Sequence, residues 1–204
     1  MPRFKNRRIV ASIQAVAAFV AGILITFSQS HSANVGMIAL AIMSIGWAFA
    51  FAWSAIKDKT VYGRIGKGLI VAASSAMAIL AIELAGTIRD GEPQITGPWP
   101  LLISWGLAGA FTELILALSA KPRSGRRRDH LISAGLAAAF GLTQVLTPIN
   151  DSVTHVGFLG AYAVILSVHL GLSVLSPANK SASKSNGKKS ASKKSADAKA
   201  KSKK

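Results

Sequence analysis

Of the 204 residues half are apolar, the formal net charge is +16, and there is no cysteine. A water-soluble domain this apolar shows polar stretches between its elements; here the apolar residues instead run in long blocks, which argues against an ordinary soluble fold. The lack of cysteine excludes disulfides and thiolate metal sites and leaves the compartment open.

The first apolar block, residues 9–27, carries no charge and follows the basic segment MPRFKNRR. That segment would serve as the n-region of a secretory signal, but such signals use an apolar run of only about 7 to 15 residues. The block is therefore read as a first membrane span. Residues 35–56 also carry no charge, 68–88 carry Glu83, and 99–120 carry Glu113. Residues 131–149 carry none, and 153–175 carry none although His155 and His169 lie inside. At about 1.5 Å per helical residue each block suffices to cross roughly 30 Å of hydrocarbon. The expected fold class is an all-α membrane protein, with six transmembrane helices arranged as three repeated hairpins over residues 1–176 and a disordered Lys-rich C-terminal tail.

Charge fixes the expected orientation. Arg3, Lys5, Arg7 and Arg8 precede the first span, and Lys57, Lys59, Arg64 and Lys67 lie in the second connection. Five basic residues fall in KPRSGRRR (121–128) and ten in the tail after Pro177. In a six-span arrangement 23 of the 24 basic residues share one side, and the other side keeps Arg89 alone. Basic connections stay in the cytoplasm, so both termini are expected there. Topology thus accounts for KPRSGRRR, which is short and lacks the interleaved aromatics of a nucleic-acid surface; no specific nucleic acid is expected. GRIGKG (63–68) lacks phosphate-loop spacing and reads as a flexible connection. The tail, 177–204, has no apolar periodicity and is expected to be disordered, held near anionic lipid headgroups by about 1 kcal/mol per basic residue.

The hairpins share patterns. AAFVAGILITF (17–27) aligns with AAFGLTQVLTP (138–148), GAFTELILALS (109–119) with GAYAVILSVHL (160–170), and GWAFAFAWSAI (46–56) more loosely. Small residues at Ala18/Gly22, Gly106/Gly109/Ala110, Gly135/Ala139 and Gly157/Gly160/Ala161 would let helix backbones approach, in this chain or in a homo-oligomer. Trp53 and Trp99 sit where interfacial anchors are expected.

Ionisable groups inside a bilayer cost about 2.5 to 3.5 kcal/mol and are functional candidates. Glu83 lies about 8 Å from the outer end of its span, too far from Glu113 to form a carboxylate pair. Glu113 and His169 both lie toward the inner ends of theirs. They meet if the fourth and sixth helices face each other; otherwise Glu113 reaches cytoplasmic arginines and His169 bonds a serine or a backbone group. On the outer side His31, Asp90, Glu92, Asp151 and His155 form either a proton-sensing rim or, for Asp151, a helix N-cap beside solvated histidines. The candidate proton-responsive set is Glu83, Glu113, His169, Asp151 and His155. Catalytic, cofactor-binding and metal-ligating patterns are not found, so no enzyme and no cofactor is expected.

Residues 99–175 resemble the HdeD-like acid-resistance membrane proteins of the bacterial inner membrane. The resemblance rests on GAFTELILAL, the basic connection after it, Gly135, Phe140, Gly141 and Pro148, and GAYA at Gly160, Ala161, Tyr162 and Ala163. It departs at Phe158, where a tryptophan is more usual, and at Ser167, where glycine is. The first hairpin and a half match poorly. The resemblance implies a multi-pass plasma-membrane protein of about six helices, tied to acid or general stress, with no catalytic residues to carry over. The expected function is a non-enzymatic integral membrane protein with a stress-protective role. The alternative is a small proton-coupled transporter or channel.

Overall fold

The structure, a computed structural model, describes residues 2–88, 98–122 and 124–175. Arg89, Asp90, Glu92 and the Lys-rich tail lie outside the described residues. All regular structure among those described is helical: α1 (Pro2–Phe27), α2 (Ala33–Ile56), α3 (Val61–Thr87), α4 (Trp99–Leu118), α5 (Gly125–Leu146) and α6 (Ser152–Leu175). Five of these are long and apolar enough to cross a membrane, and α5 is the exception. It opens with GRRRDH, so its apolar part runs only from Leu131 to Leu146, about 24 Å. The apolar helices are compatible with an integral membrane protein.

Capping and proline chemistry move several boundaries from the expected spans. α5 stops at Leu146 instead of continuing to 149, because Pro148 disfavours helical backbone at the residue before it. Its start lies within KPRSGRRR, where Ser124 caps the helix by accepting from the Arg127 amide at 3.2 Å. GRIGKG is likewise helical, not a flexible connection. Thr60 caps α3 by accepting from the Gly63 amide at 3.2 Å. Asp58 fastens the same turn through Lys67 at 2.6 Å and the Thr60 amide at 3.0 Å.

Close crossings occur where side chains are absent. A Cβ at Gly22 would strike Val164, and one at Gly160 would strike Ile25, so α1 and α6 cross tightly. Gly36 faces Val156 between α2 and α6, and Gly46 faces Ala17 between α2 and α1. Gly106 lies on the backbone of Gly141 between α4 and α5. Gly135 and Gly157 face open space, so these two of the expected packing glycines are not contact points within the chain. Aromatic pairs add further joints. Trp47 of α2 meets Trp105 of α4 edge-to-face, with centroids 5.7 Å apart, and Phe140 of α5 stacks on Tyr162 of α6 at 4.6 Å. The buried core thus joins Ala18 and Ile25 with Met37, Leu40 and Met43, and with Val156, Leu159 and Ala163. α3 packs along α2 and touches α4 far less; its buried residues are Ser74, Ala78 and Ala81.

Candidate functional site

A cavity of about 260 Å³ opens among the helices, and all six contribute to its wall. α1, α3 and α5 contribute from around their middles (Gln14, Ser74, Ser133), and α2, α4 and α6 from their middles into their second halves (Phe51, Glu113, Leu170). Alternating helices point in opposite directions, so the cavity lies toward the end of the bundle that holds the N-terminus of α1. Trp47, Phe51, Trp105 and Tyr162 give it aromatic walls. Leu69, Ala73 and Ala108 line it and are themselves exposed, so it opens sideways where α3 and α4 part.

Gln14, Ser74 and Ser133 are 6 %, 5 % and 6 % exposed, and their side chains have no hydrogen-bond partner among the described residues. They line the cavity, where water or a ligand can supply their hydrogen bonds.

Glu113 provides the charge. His130 of α5 donates from Nδ1 to Glu113 Oε2 at 2.6 Å, with both side chains mostly buried. On the far side of the ring, Arg126 Nε donates to His130 Nε2 at 3.4 Å. A ring nitrogen that accepts carries no proton, so this pair of bonds corresponds to the Nδ1–H tautomer of His130. Tyr162 lines the same cavity. His169 does not join this pair. Its Nε2 donates instead to the Asp129 carbonyl at 3.2 Å, tying α6 to the second turn of α5. Glu113 therefore meets a histidine, but His130 in place of His169. The sequence placed His130 one residue outside an apolar block, within a basic stretch read as connection; helix α5 begins early enough to bring it onto the cavity.

The other candidates separate. Glu83 is exposed on α3 and makes no hydrogen bond or ion pair among the described residues. Asp151 takes the N-cap position of α6, accepting from the Thr154 amide at 3.0 Å and from the Thr154 hydroxyl. Those bonds hold its carboxyl below the usual carboxylate range, the side-chain bond contributing most. His155 is not on an outer rim. It is 1 % exposed, stacked on Trp99 at 4.2 Å, with Nδ1 donating to Gln144 Oε1. Gln144 returns a bond from Nε2 to the His155 carbonyl at 3.1 Å, and Trp99 Nε1 donates to the Ile149 carbonyl at 2.6 Å. Trp99 is thus a buried clamp between α4 and the end of α5, not an interfacial anchor, because its indole N–H finds a partner inside the fold. Trp53 remains 40 % exposed, with Lys57 5.2 Å from its ring. Among the described residues no group of acids and histidines could hold a metal ion.

No family model, curated protein or solved structure matches the chain.

Proposed function

We propose that this chain is a non-enzymatic plasma-membrane protein whose central cavity responds to protons, in the service of acid resistance. The observation that carries this reading is the Glu113–His130 pair at the wall of the cavity. When His130 takes a second proton, Nε2 becomes a donor and no longer accepts from Arg126. Two cations then face each other where a hydrogen bond stood, while the bond to Glu113 becomes an ion pair. The groups around this event are Glu113 from α4, Tyr162 and His169 from α6, and Arg126 and Asp129 from α5 itself. Protonation therefore resets the joint between α4 and α5 and the charge of the cavity wall together.

Six spans in three hairpins, with both termini cytoplasmic, is the arrangement we favour. Were α5 to stay on one side, α6 would carry the ten basic residues of the tail to the outer face, against the retention of basic segments in the cytoplasm. In the favoured arrangement the cavity lies in the cytoplasmic half. The likeness of residues 99–175 to the HdeD-like proteins supports a bacterial inner-membrane setting and the link to acid.

The test is survival of cells lacking the chain after acid challenge, with complementation by variants. Wild type and His169→Ala should restore survival, while Glu113→Gln and His130→Gln should not. Equal rescue by all four would remove the pair from the mechanism. A second reading, a small proton-coupled transporter, is favoured by the sideways opening between α3 and α4; it requires a pH gradient to drive uptake in proteoliposomes.

A further inference from the structure

We infer that the cavity binds a quaternary ammonium cation bearing a small polar arm. This deepens the proposal above, since it assigns a ligand class to the same cavity. Three features of the wall converge on that chemistry. The first is charge: Glu113 brings a carboxylate to the wall, its Oε2 is bonded to His130, and its Oε1 accepts no hydrogen bond among the described residues. The second is aromatic surface: Trp47 and Trp105 stand edge-to-face at 72°, and Tyr162 lines the same cavity. Ring faces attract cations electrostatically, and most strongly where water is excluded. The third is the unpartnered set Gln14, Ser74 and Ser133, each more than nine-tenths buried, which offers hydrogen bonds to a hydroxyl or ester arm.

The same wall disfavours other occupants. A bare metal ion needs several oxygens to replace its hydration shell, and no group of acids and histidines here could supply them. An anion would meet the Glu113 carboxylate. A neutral apolar molecule would leave Glu113 Oε1 and three polar side chains without a partner. An alkylated ammonium spreads its charge over carbon, loses little hydration, and meets both the rings and the carboxylate.

Two sources supply this group, a free solute such as choline and the headgroup of phosphatidylcholine, and the opening between α3 and α4 admits either. The experiment is calorimetric titration of the full chain in dodecyl maltoside with choline chloride. A parallel titration uses choline's neutral analogue, in which a quaternary carbon replaces the nitrogen. Choline should bind saturably and the analogue about tenfold more weakly or not at all, because the attraction of the cation to the aromatic rings and the Glu113 carboxylate is lost. Glu113→Gln should weaken choline by a similar factor, and His169→Ala should leave it unchanged. Displacement of choline by short-chain phosphatidylcholine, but not by phosphatidylglycerol of the same chains, would identify the headgroup as the source; no displacement would identify the free solute. Absence of saturable choline binding, or equal binding of the neutral analogue, overturns the assignment. The proton-responsive reading is followed separately by the tryptophan fluorescence of the ligand-free protein across pH. A pH response that depends on Glu113, without choline binding, would retain that reading and remove this one.

Discussion

Gly106 stands at the closest approach of α4 and α5. A Cβ there would lie 2.7 Å from the Cα and amide nitrogen of Gly141, and backbone cannot swing aside as a side chain can. Gly106→Ala should therefore lower the thermal unfolding midpoint of the detergent-solubilised protein, with a cost of about 1–3 kcal/mol from forced separation of the helices. Gly157→Ala, which meets open space, should leave the midpoint unchanged or raise it, since alanine is the better helix former. Equal effects of the two substitutions would contradict the close crossing. Both glycines belong to small-residue clusters that the sequence displays equally. The sequence shows that a residue is small but not which way its helix is rotated. The same limit applies to the charged site. Glu113 stands out because a carboxylate in an apolar block is costly, but its partner depends on helix rotation and on where α5 begins. Gln144 and His155 are 11 residues apart, yet their reciprocal bonds exist only because Pro148 ends α5 and lets the chain turn back.

Among the elements, α3 packs along α2 but is the least buried of the five apolar helices, and its first turn carries a clasp of its own. Asp58 accepts from Lys67, from the Thr60 amide and from the Thr60 hydroxyl, and Arg64 Nε donates to the Asp58 carbonyl at 2.9 Å. Its carboxyl is held far below the ordinary carboxylate range, chiefly by the Lys67 bond and then by the two Thr60 bonds. A depressed carboxylate stabilises the fold fully above its unfolded value of about 3.9, and that contribution is lost only as pH falls toward the folded value. The clasp should thus stay closed through the mild acid that titrates histidine. Amide hydrogen exchange over residues 61–67 should be slow in wild type, with no added opening between about pH 7 and about pH 5 once the intrinsic exchange rate is corrected for. Asp58→Asn should speed it at every pH; unchanged exchange in that variant would show that the cap alone holds the turn. The three glycines of GRIGKG suggest a loose connection, but Thr60 and Asp58 lie just before them and supply the cap and the anchor. Apolar blocks located the helices well, whereas caps and prolines, which act over one or two residues, set the ends.

For the whole molecule, the all-helical architecture was legible in the apolar blocks, because a bilayer dictates segment length more strictly than water does. The cavity was not, because it arises from the mutual placement of residues on six separate helices. Topology can be tested directly, since the chain has no cysteine. In spheroplasts, Ser30→Cys and Asn150→Cys should react with a membrane-impermeant maleimide, and Ser124→Cys only after lysis. Protection of Asn150→Cys in intact spheroplasts would leave five spans and reverse α6. The short apolar reach of α5 then bears on the lipid around the protein. Its exposed face includes Leu131, Ile132, Leu142 and Val145, and in the proposed six-span arrangement acyl chains would meet it directly. A helix shorter than the hydrocarbon is thick draws the bilayer thin beside it, at a cost of fractions of a kcal/mol per Å. Shorter or more disordered lipid tails relieve that cost, so in the proposed arrangement one flank of the bundle would enrich its own lipid neighbourhood in them, and membrane thickness would become part of what keeps α5 in place.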